Sequence, residues 1–151
     1  CDSCARHLSM NNPNCLGRLI PYLDIPGKPV QCTAAEEILE LISSDQHTQG
    51  QQYTSSEIGT LSFIKPVVGL LSSPDDHVRL IAVKILSYIA MDIANAHVLG
   101  ENAIASLVST IRSSGKFELV AEGTKVIALL SRTEQNQSIL SRNATADVLV
   151  N

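Results

Sequence analysis

The chain has few aromatic residues and no long apolar stretch. Tryptophan is absent, aromatic residues make up 3% of the chain, and apolar residues still reach 44% of its 151 positions. Many small aliphatic side chains with few aromatic ones suit closely stacked helices. Because no apolar run of about 18 residues or more occurs, we predict no membrane insertion. The chain begins with Cys, and no segment resembles the apolar core of a signal peptide, so we expect an intracellular, cytoplasmic protein.

Positive charge is also sparse. Eleven Lys and Arg residues are opposed by fifteen Asp and Glu residues, which gives a net charge of −4, and no basic stretch occurs. Binding to nucleic acids depends on clustered Lys and Arg side chains. We therefore expect no nucleic-acid partner.

Signatures of catalysis are missing as well. No glycine-rich phosphate-binding loop is present. The four histidines stand apart from any nucleophile or paired carboxylate at a telling spacing. The pair Asp75 and Asp76 is better explained by the positive end of a helix dipole than by acid chemistry. The sequence thus predicts no enzyme, no catalytic residue and no cofactor.

Four cysteines invite a comparison with zinc sites. Cys1 and Cys4 form a C-x-x-C pair, and Cys15 and Cys32 follow downstream. Four thiolates can bind zinc, but the later spacings match no paired-knuckle pattern. Packed small thiols explain these residues better, so we predict neither a metal site nor a disulfide.

The strongest positive feature is an internal repeat. Residues 83–110 align without a gap on residues 124–151, at an offset of 41 positions. The identities pair Lys84 with Lys125, Asn95 with Asn136, Leu99 with Leu140, Asn102 with Asn143, Ala103 with Ala144 and Ala105 with Ala146. A period of about 40 residues is typical of helical solenoids. The same alignment pairs Leu86 with Ile127, and both are predicted to be fully buried.

Two types of amphipathic segment alternate along the chain. In the first type, apolar residues recur at i, i+3, i+4 and i+7, which predicts one buried helical stripe. Segments of this type are residues 14–23, 62–71, 102–111 and 143–151. The second type is apolar on more than one side, as expected for a helix between neighbouring repeats, and covers residues 33–42, 77–90 and 117–132. Short segments at 94–99 and 135–140 would complete a three-helix unit.

These segments resemble armadillo repeats. Residues 62–73 match the pattern of the second armadillo helix almost position for position, and residues 78–90 match that of the third. The resemblance covers nearly the whole chain, about three and a half units. It implies an all-α, right-handed superhelical solenoid of armadillo-like three-helix repeats, in the ARM/HEAT class. Such a solenoid offers an extended concave binding surface.

We predict one continuous array over residues 1–151. Its approximate units are 1–13, the end of a repeat; 14–43, a repeat without its first helix; 44–91, a repeat with a long polar loop at 43–56; 92–132, a full repeat; and 133–151, a truncated repeat. The Gln-rich part of the loop, residues 46–52, is interpreted as a solvated insertion. Because both outer units are incomplete, we expect a fragment of a larger armadillo scaffold, or of a mixed ankyrin and armadillo one.

The resemblance also identifies groove positions. In importin-α-like armadillo proteins, a Trp and an Asn four residues apart on the third helix line the groove for extended basic peptides. The corresponding positions here are Glu36 and Glu40, Lys84 and Tyr88, and Lys125 and Leu129. None of them is Trp or Asn, so recognition of classical nuclear-import cargo is not predicted. The two lysines would instead form a short basic ladder beside the tyrosine, with the two glutamates at an acidic end.

We therefore predict a scaffold that binds a protein or an extended peptide in this groove, with an acidic segment opposite Lys84 and Lys125. Two alternatives remain open at this stage. The array is either a regulatory or substrate-presenting segment of a larger enzyme, such as a ubiquitin ligase, or a structural stretch of a long scaffold that has no ligand of its own.

Overall fold

A computed structural model describes residues 15–25, 29–44 and 55–149, and within these ranges the chain forms eight helices and no strand. The helices are α1 (Cys15–Leu23), α2 (Pro29–Ser44), α3 (Ser55–Ile58), α4 (Leu61–Leu70), α5 (Asp76–Ala90), α6 (Ile93–Ser113), α7 (Phe117–Leu130) and α8 (Glu134–Leu149). The predicted all-α class is confirmed. The predicted unit 1–13 and residues 45–54 of the long loop, which include its Gln-rich part, lie outside the described residues.

The helices alternate between two layers. In one layer, α2 packs against α5 and α5 packs against α7, in chain order. In the other, α1 contacts α4, α4 contacts α6, and α6 contacts α8. This repeat-like arrangement is compatible with an α-solenoid. None of the helices in the described part of the chain has the length and hydropathy required of a membrane span.

The core lies between the two layers and consists mainly of aliphatic side chains. Helix α5, which has α2 on one side and α7 on the other, is the most enclosed element. Its buried residues are Val78, Ile81, Ala82, Val83, Ile85, Leu86, Ser87, Ile89 and Ala90. The prediction that the second type of segment is buried on more than one side is therefore confirmed for this helix.

The prediction of full burial is correct for Leu86 but wrong for Ile127. Leu86 on α5 is 0% exposed, whereas Ile127 on α7 is only partly buried. The difference follows from the neighbours of the two helices. Helix α5 has a helix of its own layer on each side, but α7 has only α5 beside it among the described helices of that layer.

Neither of the short first helices predicted at 94–99 and 135–140 is separate from the helix that follows it, and the separate short helix is α3, which was not predicted. Helix α3 is separate from α4 because Thr60 adopts an extended backbone, with φ of −74° and ψ of 146°, before α4 begins. In the next unit, residues 94–99 run without a break into α6, since neither a proline nor an extended residue interrupts them. The Asp92 side chain caps this long helix by accepting a hydrogen bond of 2.9 Å from the backbone N–H of Ala94. Helix α8 is continuous in the same way. The unit 92–132 therefore contains two helices rather than three, and the described part of the unit 133–151 contains one.

Asn136 joins α8 to the two preceding helices. Its side chain is completely buried, and its Nδ2 donates hydrogen bonds to the backbone oxygens of Ala96 (2.7 Å) and Leu130 (3.0 Å). Its carboxamide lies so close to α6 that a Cβ at Gly100 would overlap it. Asn95, the equivalent residue one repeat earlier, is also buried. The shared asparagine of the sequence repeat thus marks a helix junction.

Candidate functional site

A groove of about 480 Å³ lies on the surface formed by α2, α5 and α7. Its lining residues are Leu39 and Ser43 on α2, Lys84, Ser87 and Tyr88 on α5, Met91 directly after α5, and Glu122 and Lys125 on α7. We call this surface the α2–α5–α7 groove. It is the surface on which the sequence predicts partner binding.

Helical spacing explains why these side chains meet. The lining residues 84, 87 and 88 of α5 and residue 91, which caps its end, are spaced i, i+3, i+4 and i+7, and side chains at this spacing lie on one face of a helix. The opposite face of α5 carries Ala82, Leu86 and Ile89, which are buried in the core. Burial of these residues therefore fixes the rotation of α5 and turns the stripe with Lys84 and Tyr88 toward the groove.

Three of the six predicted groove residues line this groove: Lys84, Tyr88 and Lys125. On α2 the lining residues are Leu39 and Ser43, not Glu36 and Glu40, both of which are exposed. Leu129 on α7 is partly buried against the core and does not line the groove. The acidic end expected at the two glutamates is therefore not part of the groove lining.

The difference on α2 comes from its register against α5. Glu36 Oε1 lies 2.8 Å from His77 Nε2, and these two residues are 41 positions apart. The armadillo resemblance instead predicts that Glu36 takes the slot of Lys84, 48 positions further along the chain. A separation of 41 positions relates Lys84 to Ser43, which does line the groove. The helices are thus about two turns out of the register that the sequence suggested.

Both groove lysines have a carboxylate neighbour on α7. Lys84 Nζ lies 3.2 Å from Glu118 Oε1, and Lys125 Nζ lies 3.9 Å from Glu122 Oε2. The Glu118 and Lys125 side chains are 65% and 62% exposed, so water screens both pairs and each contributes little to stability. These carboxylates have no acidic counterpart at the equivalent positions of the preceding repeat, so the repeat pattern does not predict them. The expected basic ladder is therefore partly neutralised.

Arg132 fixes the end of the groove near Met91. Its guanidinium Nη2 donates to the backbone oxygens of Ala90 (2.6 Å) and Met91 (3.2 Å), and its Nε donates to that of Leu129 (2.9 Å). These carbonyls belong to the ends of α5 and α7, where backbone oxygens lack partners within the helix. One side chain thus holds the ends of two groove helices together. No local sequence pattern predicts this contact.

A second cluster of reactive side chains lies at the junction of α2 and α5. Cys32 Sγ, a carboxylate oxygen of Glu36 and a ring nitrogen of His77 all lie within 4.8 Å of one another. Cys32 and Glu36 are one turn apart on α2, and His77 lies in the first turn of α5. Asp75 orders this turn, because its Oδ1 accepts a hydrogen bond of 2.8 Å from the backbone N–H of His77.

The Cys32 thiol of this cluster is held in its protonated form. Partial burial raises its pKa, and the negative charges of Glu36 and Asp75 and a hydrogen bond with Glu36 raise it further. Sulfur, nitrogen and carboxylate oxygen are all donors to transition metals. Among the residues that the structure describes, these three side chains are the ones able to hold a metal ion.

The armadillo family remains a prediction from the repeat pattern, because the two-layer helical arrangement is shared by more than one class of helical repeat. The chain matches no protein-family model, no curated protein and no solved structure at a significant level.

Proposed function

We propose that this chain is an armadillo-like α-solenoid that acts as a protein-interaction scaffold and binds an extended peptide of its partner in the α2–α5–α7 groove. The observation that supports this most directly is that one groove crosses three successive helices of one layer. A surface that spans several repeats suits a ligand that is itself extended. The proposal includes a cytoplasmic location, a protein partner and no catalytic role.

The less polar residues of the groove offer contacts typical of protein interfaces. Tyr88 is partly exposed and Met91 is 54% exposed. Tyrosine combines a large apolar ring with a hydrogen-bonding hydroxyl, and methionine adapts its shape to different apolar groups. Ser43 and Ser87 add short polar groups to the lining. We expect an apolar side chain of the peptide to lie against Tyr88 and Met91.

The charged end of the groove favours an acidic residue in the peptide. The Lys125 ammonium is largely exposed, and its distance of 3.9 Å from Glu122 exceeds that of a hydrogen bond. A carboxylate of the ligand can therefore reach Lys125 without displacing a bonded partner. Lys84 is bound to Glu118 by a single exposed contact, which a ligand carboxylate would replace at low cost. The peptide that we propose thus combines an apolar residue with one or two acidic ones.

The proposal is tested with a random peptide library displayed on phage and selected on the wild-type chain. Enriched peptides are then synthesised, and their affinities are measured by fluorescence anisotropy for wild type and for the variant K84E/K125E. We expect enrichment of acidic sequences, and a loss of affinity of at least about tenfold in the variant, which corresponds to about 1.4 kcal/mol.

The matched control is K65E/K116E, which makes the same change of charge at two exposed lysines outside the groove. Circular dichroism and thermal unfolding confirm that both variants are folded. We expect the control to bind the selected peptides as wild type does. If the peptides bind K84E/K125E as tightly as wild type, or if no peptide is enriched, the groove is not a peptide site and the structural-scaffold alternative gains support.

A further inference from the structure

We propose that Cys32, Glu36 and His77 form a binding site for a divalent metal ion of the zinc class, which joins α2 to α5. This proposal concerns a different set of side chains from the α2–α5–α7 groove and does not depend on the peptide-binding proposal. It rests on the convergence of three metal-ligating groups from two helices within 4.8 Å.

The donor set determines the class of metal. One thiolate, one imidazole and one carboxylate form a mixed set that suits Zn²⁺, and Co²⁺ binds similar sites. Calcium and magnesium prefer oxygen ligands alone, so they are disfavoured here. Three protein ligands leave one of four tetrahedral positions for a water molecule.

The observed distances are close to those that a metal requires. Zinc–ligand bonds of about 2.0–2.3 Å in a tetrahedron place neighbouring donor atoms about 3.4–3.6 Å apart. The three donor atoms lie within 4.8 Å of one another, and His77 Nε2 is already 2.8 Å from Glu36 Oε1. Binding therefore requires only that this pair open slightly and that the sulfur approach. The His77 and Glu36 side chains are 58% and 52% exposed, so both can move.

The helices hold the ligands in place before a metal arrives. Glu36 is one turn from Cys32 on α2, and this i, i+4 spacing directs both side chains to one side of the helix. His77 reaches the same point from α5, whose first turn is capped by the Asp75 side chain. Asp75 also adds a carboxylate charge near the sulfur. This negative charge favours a cation at the cluster.

Binding of the metal ion releases one proton, that of the Cys32 thiol. The Cys32 thiol loses its proton to solvent and bonds to the metal as a thiolate, while His77 binds as the neutral imidazole and Glu36 as the carboxylate. The hydrogen bond between Glu36 and His77 is replaced by two metal–ligand bonds. No oxidation or reduction takes place. Because the ligands come from two helices of one layer, the bound ion would link successive repeats.

Cobalt spectroscopy on the full chain tests this proposal. Titration with Co²⁺ should give the visible bands of tetrahedral cobalt together with a thiolate charge-transfer band of the intensity expected for one sulfur. Added Zn²⁺ should remove both signals, and it should also raise the melting temperature of the protein. A folded wild-type chain that shows neither cobalt band would overturn the proposal.

Two matched pairs of variants locate the site. We expect E36Q and H77Q each to weaken cobalt binding by more than about tenfold, whereas E40Q, one turn further along α2, and H97Q, an exposed histidine on α6, should leave it unchanged. Equal binding by E36Q and E40Q, or by H77Q and H97Q, would refute the assignment.

A final pair of variants identifies the sulfur ligand. C32S should abolish the charge-transfer band, and C1S/C4S, which removes the C-x-x-C pair, should retain it. Circular dichroism shows whether C32S is folded, and the exposed ligand His77 provides an independent test if it is not. A band that survives in C32S, or that is lost in C1S/C4S, would place the metal elsewhere and refute the proposal.

Discussion

The close contact between Gly100 and Asn136 predicts that G100A changes the free energy of unfolding in opposite directions in the wild-type protein and in the N136A variant. Gly100 lies inside α6, where replacement of glycine by alanine normally stabilises a helix by about 0.8–1 kcal/mol. In this chain the added methyl group would overlap the Asn136 carboxamide. We therefore expect G100A to destabilise the protein, because the asparagine must leave its position between α6 and α7.

The magnitude follows from the hydrogen bonds of Asn136. Its displacement breaks two buried hydrogen bonds to backbone oxygens, each contributing about 0.5–1.5 kcal/mol. After subtraction of the gain in helix propensity, G100A should lower the free energy of unfolding by up to about 2 kcal/mol. In the N136A background the overlap is absent, and G100A should raise it by about 0.5–1 kcal/mol. The two results give an interaction energy of about 2 kcal/mol between the positions.

Urea unfolding followed by circular dichroism measures all four members of this cycle. G69A is the control, because Gly69 also lies in a helix but a Cβ added there meets no atom within 4 Å. It should stabilise the wild-type and N136A proteins equally. If G100A stabilised both backgrounds by the same amount, α6 and α8 could not be in the contact described above, and the reasoning would be refuted.

Three further predictions concern the core, the groove helices and the cluster. L86A should cost about 2–5 kcal/mol of unfolding free energy, and I127A clearly less because its side chain is only partly buried; equal costs in urea unfolding would contradict this. R132Q removes hydrogen bonds to the ends of α5 and α7, so it should lower the melting temperature, and an unchanged value would show that the contact contributes nothing. The pKa of Cys32 is raised in part by Glu36, so E36Q should shift the alkylation profile of this thiol, followed by mass spectrometry, to lower pH; an unchanged profile would remove Glu36 as a cause.

The sequence predicted most helices well because burial imposes a periodic pattern on each of them. The segments 62–71 and 77–90 correspond to α4 and α5 within one residue. The break between a first and a second helix was not predictable in the same way. The break between α3 and α4 depends on a single residue with extended backbone, Thr60. No such residue interrupts α6, and the apolar pattern of the sequence does not distinguish the two cases.

The groove was only half predictable. On α5 and α7, Lys84 and Lys125 both line the groove at an offset of 41, because those helices follow one another without an insertion, whereas Leu129, 41 positions after Tyr88, does not line it. On α2 the long polar loop that precedes α4 adds residues, so equivalent sequence slots no longer gave the spatial register. Contacts that join residues far apart in the chain, such as that between Glu36 and His77, depend on this register and have no local sequence pattern.

The position of α5 has a consequence for how the molecule opens. This helix contacts α2, α4, α6 and α7, so its amide hydrogens are released only when helices on several sides separate at once. Helix α8, by contrast, packs mainly against α6 among the described helices and can detach alone. Hydrogen exchange should therefore be slowest around Ile85 and Leu86 and report there on global unfolding, while α8 exchanges by local opening. The molecule would thus carry a gradient of stability that rises toward the helix presenting Lys84 and Tyr88.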